Sequence, residues 1–135
     1  MNQKNKELLL KDLSARLPYG VIIEGLEHSE IMTIKHLAII SVMSTEPYKP
    51  YLRPMSSMTE EEKKEFIDAT DGELRYSEVF DVIKPMRESE DYCASFVSYL
   101  KAIDWLNAHH FDYRGLIEKG LAIEVTEDNN PYKEL

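Results

Sequence analysis

Chemistry-bearing side chains crowd into residues 103–117. This stretch holds the only tryptophan, Trp105, and two of the four histidines, His109 and His110, among Asp104, Asp112, Tyr113 and Arg114. Metal binding is the first chemistry to consider. Adjacent histidines on a helix point about 100° apart, so His109 and His110 cannot grip one ion together. Helical zinc pairs use spacings of three or four, as in His-Glu-x-x-His, and that motif is missing. Asp112 stands three residues from His109, where the helix is ending, and His28 and His36 fall in a β-rich stretch. A histidine at a helix C-terminus, favoured by the dipole, is the reading adopted, and no metal ligands are assigned.

Other constellations resolve in the same direction. Glu60, Glu61, Glu62 and Glu65 cluster like an acid–base or cation site, but acids at a helix start are explained by the helix dipole. Glu60 with Lys64 is a helix-supporting pair, while Glu61 and Glu65 repel. Gly20 with Gly25, and Gly115 with Gly120, have the glycine spacing of a phosphate-binding loop, yet Leu follows each pair instead of Lys and Ser or Thr. There is no Gly-x-Ser-x-Gly elbow. Cys93 is expected inside a helix near its apolar stripe, buried and inert. No catalytic or cofactor-binding residue is assigned, no cofactor is expected, and the chain is read as a non-enzyme.

Bulk properties narrow the class. A chain of 135 residues with 43% hydrophobic and 30% charged residues suits one soluble globular domain. One cysteine rules out an internal disulfide and suggests a reducing compartment. The amino terminus carries no apolar signal core. The longest apolar run, residues 37–43, falls well short of the roughly 20 residues that span a bilayer. A cytoplasmic location without membrane attachment is expected. The net charge of −9 is uneven: residues 1–57 hold seven Lys/Arg and six Asp/Glu, net +1, and residues 58–135 hold nine and 19, net −10. Such an acidic surface repels nucleic-acid phosphate and anionic lipid.

The elements that must position these groups come next. Leu9, Leu10, Leu13 and Leu17 recur at helical spacing and predict a helix over residues 5–17, stopped by Pro18. Residues 20–25, 31–34 and 37–42 are rich in β-branched residues and predict strands, the last two either separate strands of a meander or one long bent strand. Residues 47–54 carry three prolines, which exclude a helix and a central strand and predict an extended crossing. A polyproline ligand is the alternative there. Thr59 followed by Glu62 is a capping box opening a helix to about Ala69. Residues 73–91 have no clear pattern. From Ser89, the residues Tyr92, Phe96, Tyr99, Leu100, Ile103 and Leu106 form one stripe about 120° wide, predicting a long helix over residues 89–110. Asp112 is expected to cap a shorter helix ended by Gly120, and residues 121–125 read as a strand.

Trp105 is the anomaly of this pattern. It falls about 160° from the centre of the stripe, beside Ser98, Lys101, Ala102 and His109. A tryptophan buries up to about 250 Å², so the helix is expected to have two covered faces. Trp105 either packs internally, under the 112–119 helix or the N-terminal helix, or anchors a contact surface such as a dimer seam. Helix, turn, helix and strand over residues 89–125 also mimic a winged helix. Its reading helix would offer only Arg114 and Lys119 against Glu118 in acidic surroundings, so nucleic-acid binding is not expected.

The expected fold is α+β. A small antiparallel sheet or open barrel from residues 19–43, with a strand from 121–125, packs against an N-terminal helix and a long helix in the C-terminal half. One domain covers residues 1–125, with a polar tail over 126–135. The expected role is an accessory protein acting through contacts with a protein partner or a second copy. Trp105, His109, Phe111, Tyr113 and Arg114 form the candidate contact surface. An acidic decoy that occupies the DNA site of a host nuclease is the alternative, motivated by the −10 half.

Two blocks carry a family likeness. One is Lys11-Asp-Leu-Ser-Ala-Arg-Leu-Pro-Tyr-Gly-Val21 with Lys49-Pro-Tyr-Leu-Arg-Pro-Met-Ser-Ser-Met-Thr-Glu-Glu-Glu-Lys63. The other is Ile103-Asp-Trp-Leu-Asn-Ala-His-His-Phe-Asp-Tyr-Arg-Gly-Leu-Ile-Glu-Lys-Gly-Leu-Ala122. Together they resemble a family of small uncharacterised proteins encoded in prophages and mobile elements of gut anaerobic bacteria. The resemblance implies a phage-like context and carries no activity, cofactor or site residues. Residues 64–102 lie outside it.

Overall fold

The computed structural model describes residues 2–25, 27–43, 48–87 and 93–132. It is α+β and falls into two compact units, Met1–Pro54 with His110–Leu135, and Met55–His109. The sequence reading, with one domain over residues 1–125, does not anticipate that division.

In the first unit, helix α1 (Gln3–Arg16) begins where the Asn2 side chain accepts the Asn5 N–H at 2.7 Å. It buries Leu9, Asp12, Leu13 and Arg16, the i, i+3, i+4, i+7 face. The sheet contains β1 (Ile22–Glu24), β2 (Ser29–Ile31), β3 (Lys49–Pro54), β6 (Phe111–Asp112) and β7 (Ile123–Glu124). Its order is β2-β1-β3-β6, with β7 also on β3. The pairs β1–β2 and β1–β3 are antiparallel; β3–β6 and β3–β7 are parallel. The sheet is therefore mixed, and among the described residues it stays open. Leu9 and Leu13 of α1 pack with Val21, Ile23, Met32, Leu52, Leu116 and Leu121.

Three expectations for this unit are corrected. The residues read as a third strand form helix α2 (Ile34–Val42), which buries His36 and Ile40 on one helical face. An apolar run this dense has no clear period, and the cap at Thr33 decides it. The proline-rich segment is the central strand, not a crossing. Pro50 and Pro54 occupy the second and last positions of β3, and other residues bond its backbone: the Arg53 N–H donates to the His110 carbonyl, and the Leu52 carbonyl accepts from Val125, each at 2.8 Å. Pro47 lies outside the described residues. The shorter helix at 112–119 is a single turn. Gly120 has φ +72°, as expected, whereas the Asp112 carboxylate accepts the Leu116 and Ile117 N–H groups at 2.9 and 3.0 Å, four and five residues on, where an N-cap would bond two or three residues on. Gly115, with φ +74°, interrupts the helical path between Asp112 and Gly120, so the winged-helix reading loses its recognition helix.

The polar carboxyl-terminal run is anchored by Tyr132. Its hydroxyl accepts the Ile22 N–H at 3.0 Å and donates to the Tyr51 carbonyl at 2.7 Å. Its ring stacks on His110 at 3.8 Å.

The second unit contains α3 (Glu60–Ala69), the hairpin β4 (Leu74–Ser77) with β5 (Val82–Pro85), and α4 (Phe96–Ala108). The Thr59 capping box forms as read, with the Thr59 N–H donating to Glu62 and the Glu62 N–H to Thr59 Oγ1. Lys63, not Lys64, pairs with Glu60 at 2.9 Å, and Lys63 also meets Glu78. The unreadable stretch supplies the hairpin. Helix α4 starts seven residues later than expected, capped by Ser95, whose Oγ accepts the Ser98 N–H at 3.2 Å. It packs on α3 and β4. Cys93 precedes it and is exposed, not buried in a helix. Ser89 and Tyr92 lie outside the described residues.

Candidate functional site

Helix α4 is turned opposite to its apolar stripe. Phe96 is 76% exposed, Leu100 49% and Ile103 38%, and Tyr99 is exposed as well; only Leu106 of the described stripe residues is buried. The covered face carries Ser98, Ala102 and Asn107, with Trp105 half-buried beside them. The small side chains at 98 and 102 permit close helix approach. Trp105 meets the buried Phe66 of α3 edge-to-face, with centroids 5.3 Å apart and planes at 70°. His109 stacks on Trp105 at 4.0 Å, and its Nδ1 donates to the Trp105 carbonyl at 2.9 Å. Trp105 and His109 thus belong to the packing of their own unit.

The other three candidate residues belong to the first unit, so the expected five-residue surface is split between units. Phe111 is fully buried and presents no surface; its carbonyl accepts from Arg16 Nη2 at 2.7 Å. Tyr113 lies beneath two guanidiniums, Arg16 at 5.0 Å and Arg114 at 5.3 Å from the ring centroid. Arg114 Nε stands 3.3 Å from Asp12. These side chains surround an ion pair that sequence reasoning missed. Arg16 Nε donates to Asp12 Oδ2 at 2.7 Å, and both residues are fully buried. Burial pushes the Asp12 carboxyl above its ordinary value; Arg16, through charge and hydrogen bonding, and then Arg114 pull it back. The signal was available, because Asp12 and Arg16 share a helix face with Leu9 and Leu13.

A second polar cluster lies where β1, β2 and α2 meet. A cleft of about 170 Å³ is lined by Gly25, Glu27, His28, Glu30 and Tyr48. The His36 Nε2 is 2.6 Å from Glu30, His28 Nε2 is 3.4 Å from the same carboxylate, and Tyr48 meets the His36 ring edge-on. Thr33 Oγ1 lies 3.1 Å from His36 Nδ1. Hydroxyl, imidazole and carboxylate in a row have the connectivity of a nucleophile relay. The Thr33 backbone N–H, which can only donate, takes the Nδ1 lone pair at 2.9 Å. The proton on His36 therefore sits on Nε2, facing Glu30, and Nδ1 has no lone pair left to activate the hydroxyl. The group caps α2. Next to it, Glu24 accepts from the Tyr51 hydroxyl and from Ser29, which hold its carboxyl below the ordinary value, and the hydrogen bond to Glu24 holds the Tyr51 phenol above its own. Among the described residues, no three His, Cys, Asp or Glu side chains are grouped to hold a metal ion, and no helix is long and apolar enough to cross a membrane.

Among the described residues, the fold thus presents a packed ion-pair cluster, a helix cap beside a small cleft, and an apolar face of α4 that is left uncovered. Comparisons with protein-family models, with curated proteins and with solved structures find no match for this chain.

Proposed function

We propose that this protein is an accessory factor that acts through protein contacts, and that the outward face of α4 is its docking surface. The observation that carries this reading is the inverted helix, with Phe96, Leu100 and Ile103 in solvent while Ser98 and Ala102 are buried. Fully burying one such large apolar side chain is worth about 1.5–3 kcal/mol, and grouped exposed apolar side chains mark contact sites. A photo-crosslinking residue placed at Leu100 in cells should give a discrete protein adduct, and the same residue at Glu61 should not. Identical adducts at both positions, or none at either, would refute the assignment.

A second reading rests on charge. The unit Met55–His109 holds six Lys/Arg against 13 Asp/Glu, net −7, while the rest of the chain holds ten against 12, net −2. This concentration suits an acidic decoy for a basic DNA-binding site. Its test is competition with duplex DNA for a host nuclease. Displacement that survives serine substitutions at Phe96, Leu100 and Ile103 would favour the decoy; displacement that needs those residues would not.

A further inference from the structure

We infer that the occupant of the α4 face is a basic amphipathic helix of a partner protein; this rests on the docking reading above and names its partner class. Shape is the first argument. Phe96, Leu100 and Ile103 recur at i, i+4 and i+7, so they form one ridge along a 13-residue helix, about 20 Å long at 1.5 Å per residue. Such a ridge packs into the groove between the ridges of another helix of similar length.

Charge is the second argument, and it separates the possible occupants. The unit bearing the ridge has a net charge of −7. Of its lysines, Lys63 is engaged by Glu60 and Glu78 and Lys101 by Asp71, while Asp104, one turn along α4 from Leu100, is exposed. A second copy would bring the same charge of the same sign, and like-charge juxtaposition at an interface costs several kcal/mol. An anionic lipid surface is opposed for the same reason, and membrane-lying helices are rich in Lys or Arg on their polar face, where α4 exposes only one lysine, Lys101, beside Asp104. A partner helix with apolar residues on one face and Lys or Arg on its flanks meets both the ridge and the net negative charge of the unit that carries it.

The test uses the full chain and three fluorescein-labelled 14-residue peptides with leucines at helical i, i+3, i+4 and i+7 spacing. Their remaining positions are all Lys, all Gln or all Glu, and binding is read by anisotropy. The Lys peptide should bind at least tenfold tighter than the Gln peptide, and the Glu peptide should not bind. Leu100→Ser with Ile103→Ser, and separately Phe96→Ser, should each weaken the Lys peptide at least tenfold while the circular dichroism spectrum stays unchanged. Equal binding of Lys and Gln peptides would overturn the basic partner and leave the docking face standing. Equal binding of the Lys peptide to wild type and both variants would overturn the docking face itself. A monomer–dimer equilibrium by sedimentation that these substitutions abolish would assign the face to a second copy and overturn the inference, as would failure of all three peptides to bind.

Discussion

Trp105 stands edge-on to Phe66, with ring centroids 5.3 Å apart, and this pair sets which side of α4 faces inward. Burial of the indole and of the small residues 98 and 102 turns the helix so that its larger apolar residues point out. The mismatch noted in the sequence is therefore resolved in favour of Trp105, and the stripe is the part left uncovered.

Because Trp105 is the only tryptophan, its fluorescence reports on this packing alone. Its emission maximum should not move across a dilution series. Phe66→Ala should shift emission to the red and cost about 3–5 kcal/mol, the range for removing a buried phenylalanine. Unchanged emission in Phe66→Ala would mean that the ring contact is not formed.

Asp12 and Arg16 make a fully buried ion pair. Asp12→Ala leaves the guanidinium uncompensated and should cost about 3–5 kcal/mol. Replacing both, with Asp12→Leu and Arg16→Met, should cost less than Asp12→Ala alone. Urea unfolding of Asp12→Ala, of Asp12→Leu, of Arg16→Met and of the double variant measures this, and a double variant as damaged as the sum of its two single ones would show that the pair is not coupled.

Tyr132 gives the chain an alkaline limit. Burial pushes its phenol up to about 12 from an ordinary 10.0, with the Ile22 hydrogen bond acting the other way. The neutral phenol is the form that folding favours. Its contribution is complete below about pH 10 and is lost as pH rises toward 12. Tyr132→Phe should remove this alkaline loss and cost about 1–3 kcal/mol at neutral pH, because the Ile22 N–H loses its acceptor. A pH–stability profile for the variant that overlays the wild type above pH 10 would contradict the assignment.

Legibility followed the locality of the signal. Helices α1 and α3, strand β1, the Thr59 capping box and the Gly120 stop were readable because each depends on a few adjacent residues. Residues 34–42 were misread because an apolar run carries no period of its own, and the cap made by Thr33 and His36 involves Glu30, six residues from the histidine. Strand β3 was misjudged because proline's cost depends on which neighbour the missing N–H would have faced, and that is set by distant pairing with β6 and β7. The candidate residues after position 103 were placed on one surface because they are adjacent in sequence; the boundary between units falls at His109 and His110 and separates them. The orientation of α4 was illegible for a related reason. Hydrophobicity ranks Leu100 above Ala102, but close approach to α3 favours the smaller side chain.

Urea unfolding of Leu100→Gln beside Leu106→Ala tests the inverted helix most directly. An outward Leu100 predicts a change within about 0.5 kcal/mol for Leu100→Gln, as for surface sites, against a loss of about 2–5 kcal/mol for Leu106→Ala, as for core leucines. A loss of core magnitude at Leu100 would place the stripe inside and remove the docking face.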